Sequence, residues 1–283
     1  MSRNSSRKKA ATAGTDQKPA AADPVLSTGG FSFSAPTEHV ELPSGGQAYA
    51  EDHPLHGKDT VEIKYMTAKE EDILTSQNLL KKGLAIERLL ESVILDKTIN
   101  PKSLLVGDRN AILVAARITG FGAEYLTQIA CPACTKTSEY EFDLSEAQNK
   151  EVTLPEDAQV TESGTYMVQL PVTGVNVELK LLNGNDESKL TALQESKRKN
   201  KLPETPLTDM LNAIIVSVNG NTERGVISEF ISIVPSRDTR YLRKIYADVT
   251  PNIDMTYEFE CPNCDTTTDV EVPFTVSFLW PRQ

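Results

Sequence analysis

This 283-residue chain holds only four cysteines, three histidines and one tryptophan, and aromatic residues make up 6% of it. It has no run of about 18 apolar residues, which excludes a membrane-crossing helix. The N-terminus is basic but no apolar stretch follows it, so it does not read as a secretory signal. The expected setting is a reducing cytoplasm, where paired cysteines hold metal more often than they bond to each other. Catalytic motifs are missing too. There is no G-x-S-x-G and no phosphate-loop glycine pattern. His53-Pro54-Leu55-His56 lies in a loop bearing glycine and proline, without partner ligands. Glu70-Glu71-Asp72 falls in a helical first turn, where carboxylates complement the helix dipole. The chain reads as no enzyme, with no small-molecule substrate.

What is present is ordinary for a soluble globular protein: 39% hydrophobic and 24% charged residues. Charge is uneven. Residues 1–30 carry Arg3, Arg7, Lys8, Lys9 and Lys18 against Asp16 and Asp23, net +3, so of the −11 total the remaining 253 residues carry −14. The lead reads as a disordered basic tail, rich in Ser, Ala, Thr and Lys without apolar periodicity. The acidic body repels phosphate backbones and weighs against nucleic-acid binding.

Order is expected from Phe31. His39–Leu42 and Val61–Met66 alternate as strands, with turn chemistry at Pro43-Ser44-Gly45-Gly46. Thr67 and Glu70 form a capping box for a helix that runs to Lys82 and stops at Gly83, with Ile73, Leu74, Asn78, Leu79 and Leu80 as its stripe. A second helix covers Leu84–Asp96, and Asp108 caps a third that ends at Gly120 and Gly122. After Gly122 the period becomes two. A strand enters Cys131-Pro132-Ala133-Cys134 and another leaves it; the same unit recurs at Cys261-Pro262-Asn263-Cys264. Between them, Tyr166–Leu170 and Val175–Leu182 read as a hairpin, and Glu187–Lys197, Thr208–Val218, Val226–Ile233 and Ser236–Asp248 as helices. The charged run Glu195–Lys201 reads as a solvated helix end and loop, and Phe278-Leu279-Trp280-Pro281 as an exposed aromatic tail.

Two cysteines separated by two residues reach one metal only if the backbone folds into a tight knuckle, and proline after the first presets φ for that turn. Cys131, Cys134, Cys261 and Cys264 together supply four soft thiolates and leave no cysteine over, the pattern of a closed, structural Zn2+ site. The alternatives are a dithiol oxidoreductase, an iron–sulfur cluster, or four thiols without metal. The first wants a helix N-terminus after the motif, whereas Thr135-Lys136-Thr137 and Thr266-Thr267-Thr268 lead into strands. The long gap between knuckles is tolerable because loop-closure entropy grows only logarithmically. The expected fold is α+β: a three-helix module plus a split four-cysteine zinc-ribbon-like β unit with an α/β insertion between its knuckles. The expected divisions are 1–30 for the tail, 31–122 for a β-hairpin plus the helices, 123–145 with 253–283 for the ribbon, and 146–252 for the insertion.

Several segments together resemble one family: Val40-Glu41-Leu42-Pro43-Ser44-Gly45-Gly46, Tyr65-Met66-Thr67-Ala68-Lys69-Glu70-Glu71-Asp72-Ile73-Leu74, Gly107-Asp108-Arg109-Asn110-Ala111-Ile112-Leu113, the two knuckles, and Phe278-Leu279-Trp280-Pro281. The pattern is similar to the baseplate hub subunit family of T-even-like contractile-tailed bacteriophages, from about residue 36 to the end. Leu279 stands where that pattern has a second aromatic. The resemblance implies a non-enzymatic role in forming the central hub of the tail baseplate, with other hub and tail proteins as partners. It implies assembly in the host cytoplasm and fits a virion subunit and an assembly factor equally. Partner contacts are expected on the helices of 67–120 and on the Phe278–Pro281 tail. The alternative is a zinc-ribbon module binding nucleic acid or polymerase.

Overall fold

The computed structural model describes residues 26–28, 31–33, 35–156, 158–272 and 276–279. Most of the basic lead, together with Trp280 and Pro281, lies outside them. Strands β1 (Leu26–Thr28) and β2 (Phe31–Phe33) pair as a hairpin in a unit spanning Met1–Ala35, separate from that of Pro36–Gln283. β1 thus precedes the Phe31 start read from the sequence.

In the second unit, the alternation of apolar residues sets the first pairing. β3 (Thr37–Glu41) runs antiparallel to β4 (Thr60–Lys64), with Val40 opposite Val61, and Val40, Val61 and Ile63 are buried. The link between them needs Gly46, whose φ is +73° and where an added Cβ would stand 2.3 Å from the Lys58 carbonyl oxygen. Thr67 then gives its N–H (2.9 Å) and its hydroxyl (2.6 Å) to the Glu70 carboxylate and starts α1 (Ala68–Thr75). Glu70 is fully buried, and Lys64 Nζ lies 3.0 Å from it.

The helix read as continuous to Lys82 breaks at Ser76 (φ −65°, ψ 107°), and α2 (Gln77–Lys81) follows. Thr75 turns its hydroxyl back onto the Glu71 carbonyl at 2.9 Å, an i−4 back-bond of the kind that weakens and bends helices. Of the expected stripe Leu74 alone is buried, and Asn78 is exposed. Gly83 closes the segment at φ +67°. α3 (Ala85–Val93) buries Leu89, Leu90 and Val93, and Ile94 leaves it to bridge Ile63. α4 (Val106–Phe121) starts before Asp108, so Asp108 is its third residue and not its cap; Gly122 ends it at φ +87°. Gly107 is pressed against the Pro251 carbonyl, 2.0 Å from where a Cβ would lie.

β5 (Glu124–Ala130) and β6 (Thr137–Asp143) form the first knuckle hairpin. A short β7 (Gln148–Asn149) follows, then the antiparallel hairpin β9 (Tyr166–Gln169) and β10 (Asn176–Leu179), preceded by β8 (Ala158–Val160). Helices α5 (Gly184–Lys199) and α6 (Pro206–Ile214) come next. The helix read over 208–218 stops at Ile214, and Ile215–Val218 is strand β11, giving a sheet ordered β11-β10-β9-β8. The β-branched run there suits a strand, and the edge of β10 supplies its ladder bonds. α7 (Arg224–Ile233) and α8 (Ser236–Val249) complete the insertion. Buried Asp238 accepts from Val172 N–H (2.9 Å), Thr173 N–H (3.0 Å) and the Thr173 hydroxyl (2.9 Å), tying α8 to the β9–β10 turn.

β12 (Ile253–Asp254) pairs with β7, and β13 (Thr256–Glu260) with β14 (Thr267–Glu271) forms the second knuckle hairpin. The fold is α+β, and its buried side chains form one cluster from Val40 to Leu279. Among the described residues no helix is long and apolar enough to cross a membrane. The tail read as exposed is not so where it is described: Phe278 and Leu279 are buried. Buried Arg117 explains it. Its Nε donates to the Phe278 carbonyl (3.1 Å), its other nitrogens to the Gly122 (2.6 Å) and Glu124 (3.0 Å) carbonyls, and the Phe278 ring meets Tyr125 edge-on at 5.2 Å.

Candidate metal centre

Each knuckle is built by the same short-range bonds. Cys131 N–H donates to the Lys136 carbonyl at 2.9 Å and Thr135 N–H to the Cys131 carbonyl at 2.9 Å; in the second knuckle the matching bonds are Cys261 to Thr266 (3.0 Å) and Asp265 to Cys261 (2.9 Å). Closing the turn so tightly forces the residue after the second cysteine into the left-handed region, Thr135 at φ +61° and Asp265 at φ +53°. For a β-branched threonine that conformation is costly, so something beyond local preference holds it.

The hairpins meet through their aromatic faces. Tyr140 lies 5.1 Å from Phe259 and Phe142 lies 5.3 Å from Tyr257, ring centre to ring centre, with Phe142 and Phe259 buried. This small apolar layer brings the two knuckle tips together although about 130 residues separate them. The four sulfurs converge within 4.8 Å of one another. Cys131 pairs with Cys264 and Cys134 with Cys261, each at 3.8 Å. All four are free thiols, far outside the S–S bond length of about 2.0 Å. A tetrahedron of sulfurs at a Zn–S distance of about 2.3 Å has edges of about 3.8 Å. The observed spacing fits that donor set.

The electrostatics of the cluster point the same way. Backbone N–H groups of Cys134 and Ala133 lower the Cys131 thiol, and the Thr266 hydroxyl and N–H bring Cys264 down to about 6. Cys134 moves the other way: the Lys136 N–H pulls it down, but desolvation and the neighbouring thiols outweigh that and push it up to about 11. Sulfurs this close disfavour several negative charges among them, and a bound cation would relieve that repulsion. Cys131 and Cys261 are buried, and Cys134 is half-buried.

Other polar constellations resolve into structure. Ser103 Oγ stands 2.7 Å from His53 Nε2, the spacing of a nucleophile and its base. Leu55 N–H donates to His53 Nδ1 at 3.1 Å, which places the ring proton on Nε2, and Ser103 gives its own proton to the Asn100 carbonyl. No imidazole lone pair faces the hydroxyl. His53 also stacks on Tyr49 at 4.3 Å, and His56 donates to the Tyr49 carbonyl. A 370 Å³ cleft between α5 and α6 contains Lys197 paired with Asp209 at 2.6 Å, so Lys197 departs from the solvated reading of Glu195–Lys201.

Sequence reasoning missed Asp108 as an internal anchor. Fully buried, it accepts from Ser44 N–H (2.9 Å), the Ser44 hydroxyl (2.6 Å) and the Tyr49 hydroxyl (2.7 Å), while burial pushes its carboxyl up from the ordinary value. The Pro-Ser-Gly-Gly turn was the available signal, since its Ser44 supplies two of those bonds.

Taken together, this is an α+β protein in which four thiols from two distant hairpins converge. The sequence model of a family described as T4 bacteriophage base plate protein matches residues 35–280, and the chain belongs to that family. The search of curated proteins and the search of solved structures returned no match.

Proposed function

We propose that this chain is a non-enzymatic component of the hub at the centre of the phage tail baseplate, and that Cys131, Cys134, Cys261 and Cys264 hold one structural zinc that fastens its two knuckles. The family match over 35–280 carries the baseplate role; the resemblance of the V-E-L-P-S-G-G, M-T-A-K-E-E-D and knuckle segments supports the hub. A four-sulfur shell leaves no open position for water, so the ion would serve folding and not catalysis. In this reading 123–145 and 253–283 form a split ribbon, with the helices of 31–122 before it and the α/β insertion 146–252 between its halves. Partners would be other tail proteins, met in the host cytoplasm and, for a virion subunit, retained in the tail.

The outward faces of both knuckle hairpins oppose the nucleic-acid alternative. Glu124 stands opposite Asp143, and Glu258 opposite Asp269, with Glu139, Glu141, Glu260 and Glu271 exposed beside them. Such faces repel phosphate. Two measurements test the proposal separately. Elemental analysis of reduced, freshly purified protein should give one zinc per chain; none would end the zinc reading. Tagged protein recovered from infected cells should bring down tail hub proteins, and recovery without any tail protein would end the hub reading.

A further inference from the structure

Among the described residues β3 and β7 each have a partner on one side only, and the other sides can be read from the hydrogen bonds. Tyr65 N–H donates to the Pro36 carbonyl at 2.9 Å and Leu42 N–H to the Asp59 carbonyl at 2.7 Å. With Val40 opposite Val61, antiparallel alternation assigns Glu38 and Val40 to the bonds with β4 and turns the N–H and C=O groups of Thr37, His39 and Glu41 away from it. Lys150 N–H donates to the Asn252 carbonyl at 2.7 Å, and Asn149 lies opposite Ile253; the same alternation turns Asn149 away from β12.

Both open edges border one groove of about 460 Å³, within the range of sites that bind ligands, about 300–1,000 Å³. Its floor is an i, i+3, i+4, i+7 stripe of α4: Ala111, Val114, Ala115 and Ile118. These small and branched side chains leave room for a backbone above them. Glu38 and Glu41, on opposite faces of β3, are exposed along the groove, and among the described residues no lysine or arginine lines it. An edge strand with free donors and acceptors is a template for another strand unless something covers it.

We propose that this groove receives an extended segment of another tail protein, which pairs with β3 as an added strand. The segment places small apolar side chains on the α4 stripe at alternate positions and carries lysine or arginine where it passes Glu38 and Glu41. Main-chain bonds supply affinity in this mode and the alternate side chains supply selectivity; the two exposed carboxylates add the preference for basic flanks. The inference rests on the baseplate reading for the source of the strand, but not on the zinc.

The test uses the full chain and a labelled nonapeptide, K-V-T-V-K-V-T-V-K, as the probe. Saturable binding is expected, read by fluorescence anisotropy, with the His39 and Glu41 amides slowed at least about tenfold in hydrogen exchange, since a paired edge amide exchanges only when the pairing opens. The double variant Glu38→Lys, Glu41→Lys should weaken binding about tenfold, in line with reversal of two exposed charges. His39→Pro should abolish it while leaving the melting temperature of the chain unchanged, because an edge strand tolerates proline where its N–H is unbonded. Absence of saturable binding, or equal binding by the chain carrying His39→Pro, overturns the proposal. So does finding the His39 and Glu41 amides already protected in the isolated full chain, which would mean the edge is filled from within. Recovery of tail hub proteins with the tagged chain is independent of these outcomes, so failure here and failure of the baseplate reading are told apart.

Discussion

The knuckle hairpins and the insertion between them hold together by different means. The insertion has a four-stranded sheet, helices α5 to α8, and polar anchors placed inside it, of which Asp238 and the Lys197–Asp209 pair are examples. Each knuckle hairpin has two strands and a half-buried aromatic face. An isolated two-stranded hairpin is marginal in water, and the outward faces here set like charges opposite each other, Glu258 against Asp269 and Glu124 against Asp143, which destabilises the pairing further. On the proposed zinc reading, a region so poor in its own core depends on a staple, whereas a region with a sheet and helices of its own does not.

The largest break in that comparison comes from the staple. Cys261→Ser, or a strong chelator at neutral pH, should lower the melting temperature on the order of 10 °C, since metal-binding energy in such a site is folding energy. The knuckle residues Tyr140, Phe142, Tyr257 and Phe259 should lose protection first in hydrogen exchange. A melting curve indifferent to chelator would show that the aromatic layer suffices. The converse experiment targets the insertion. Asp238→Ala leaves three donors of the β9–β10 turn unanswered and should cost about 2–3 kcal/mol, with the loss of protection confined to 166–249 and the chelator response unchanged. Spread of that effect into the knuckles would mean that the two regions fold as one cooperative unit.

The same contrast governs what could be read in advance. Knuckles, capping box and the β9–β10 hairpin are signalled by spacings of two to four residues, so the sequence displays them directly. Asp108 and Arg117 are not legible that way. A buried charge is tolerable only with its partners, and those partners are Ser44, 64 positions away, and the Phe278 carbonyl, 161 positions away. The burial of Phe278 and Leu279 is the same long-range event seen from the other end, which is why a short aromatic terminus read as exposed. At Ile215–Val218 a helical period lost to an edge that only the folded β10 provides. At Ser76 the stripe continued in sequence while the backbone turned to an extended conformation (φ −65°, ψ 107°), just after Thr75 had bonded its hydroxyl back onto the Glu71 carbonyl.

A smaller effect separates the front of the molecule from both regions. Burial alone would raise the Glu70 carboxyl, yet the hydroxyls of Ser92 and Thr67, the Thr67 N–H and Lys64 more than offset it and hold the group down to about 2, against an ordinary value of 4.5. A depressed carboxylate contributes stability that is complete above its unfolded value and is lost as pH falls toward its folded one. The stability advantage of the natural chain over Glu70→Gln should therefore be flat above about pH 5 and shrink between about pH 5 and 2. Comparing the two chains cancels the thiol protonation that would also weaken the knuckles in acid. An advantage that stayed constant across that window would mean Glu70 acts by shape and not by charge.

The smallest predicted effect bears on the knuckles alone. Thr135 holds a left-handed conformation that only the closed turn imposes, at a cost of about 1–2 kcal/mol for an L residue with a β-carbon. Thr135→Gly removes that cost but frees the unfolded chain, so a net gain of at most about 1 kcal/mol is expected. The gain should appear only while the four sulfurs are fastened. With chelator present the turn is no longer enforced, threonine can relax, and the two chains should melt together. Equal gains with and without chelator would mean that the hairpin itself, and not the thiol cluster, forces Thr135 into that conformation.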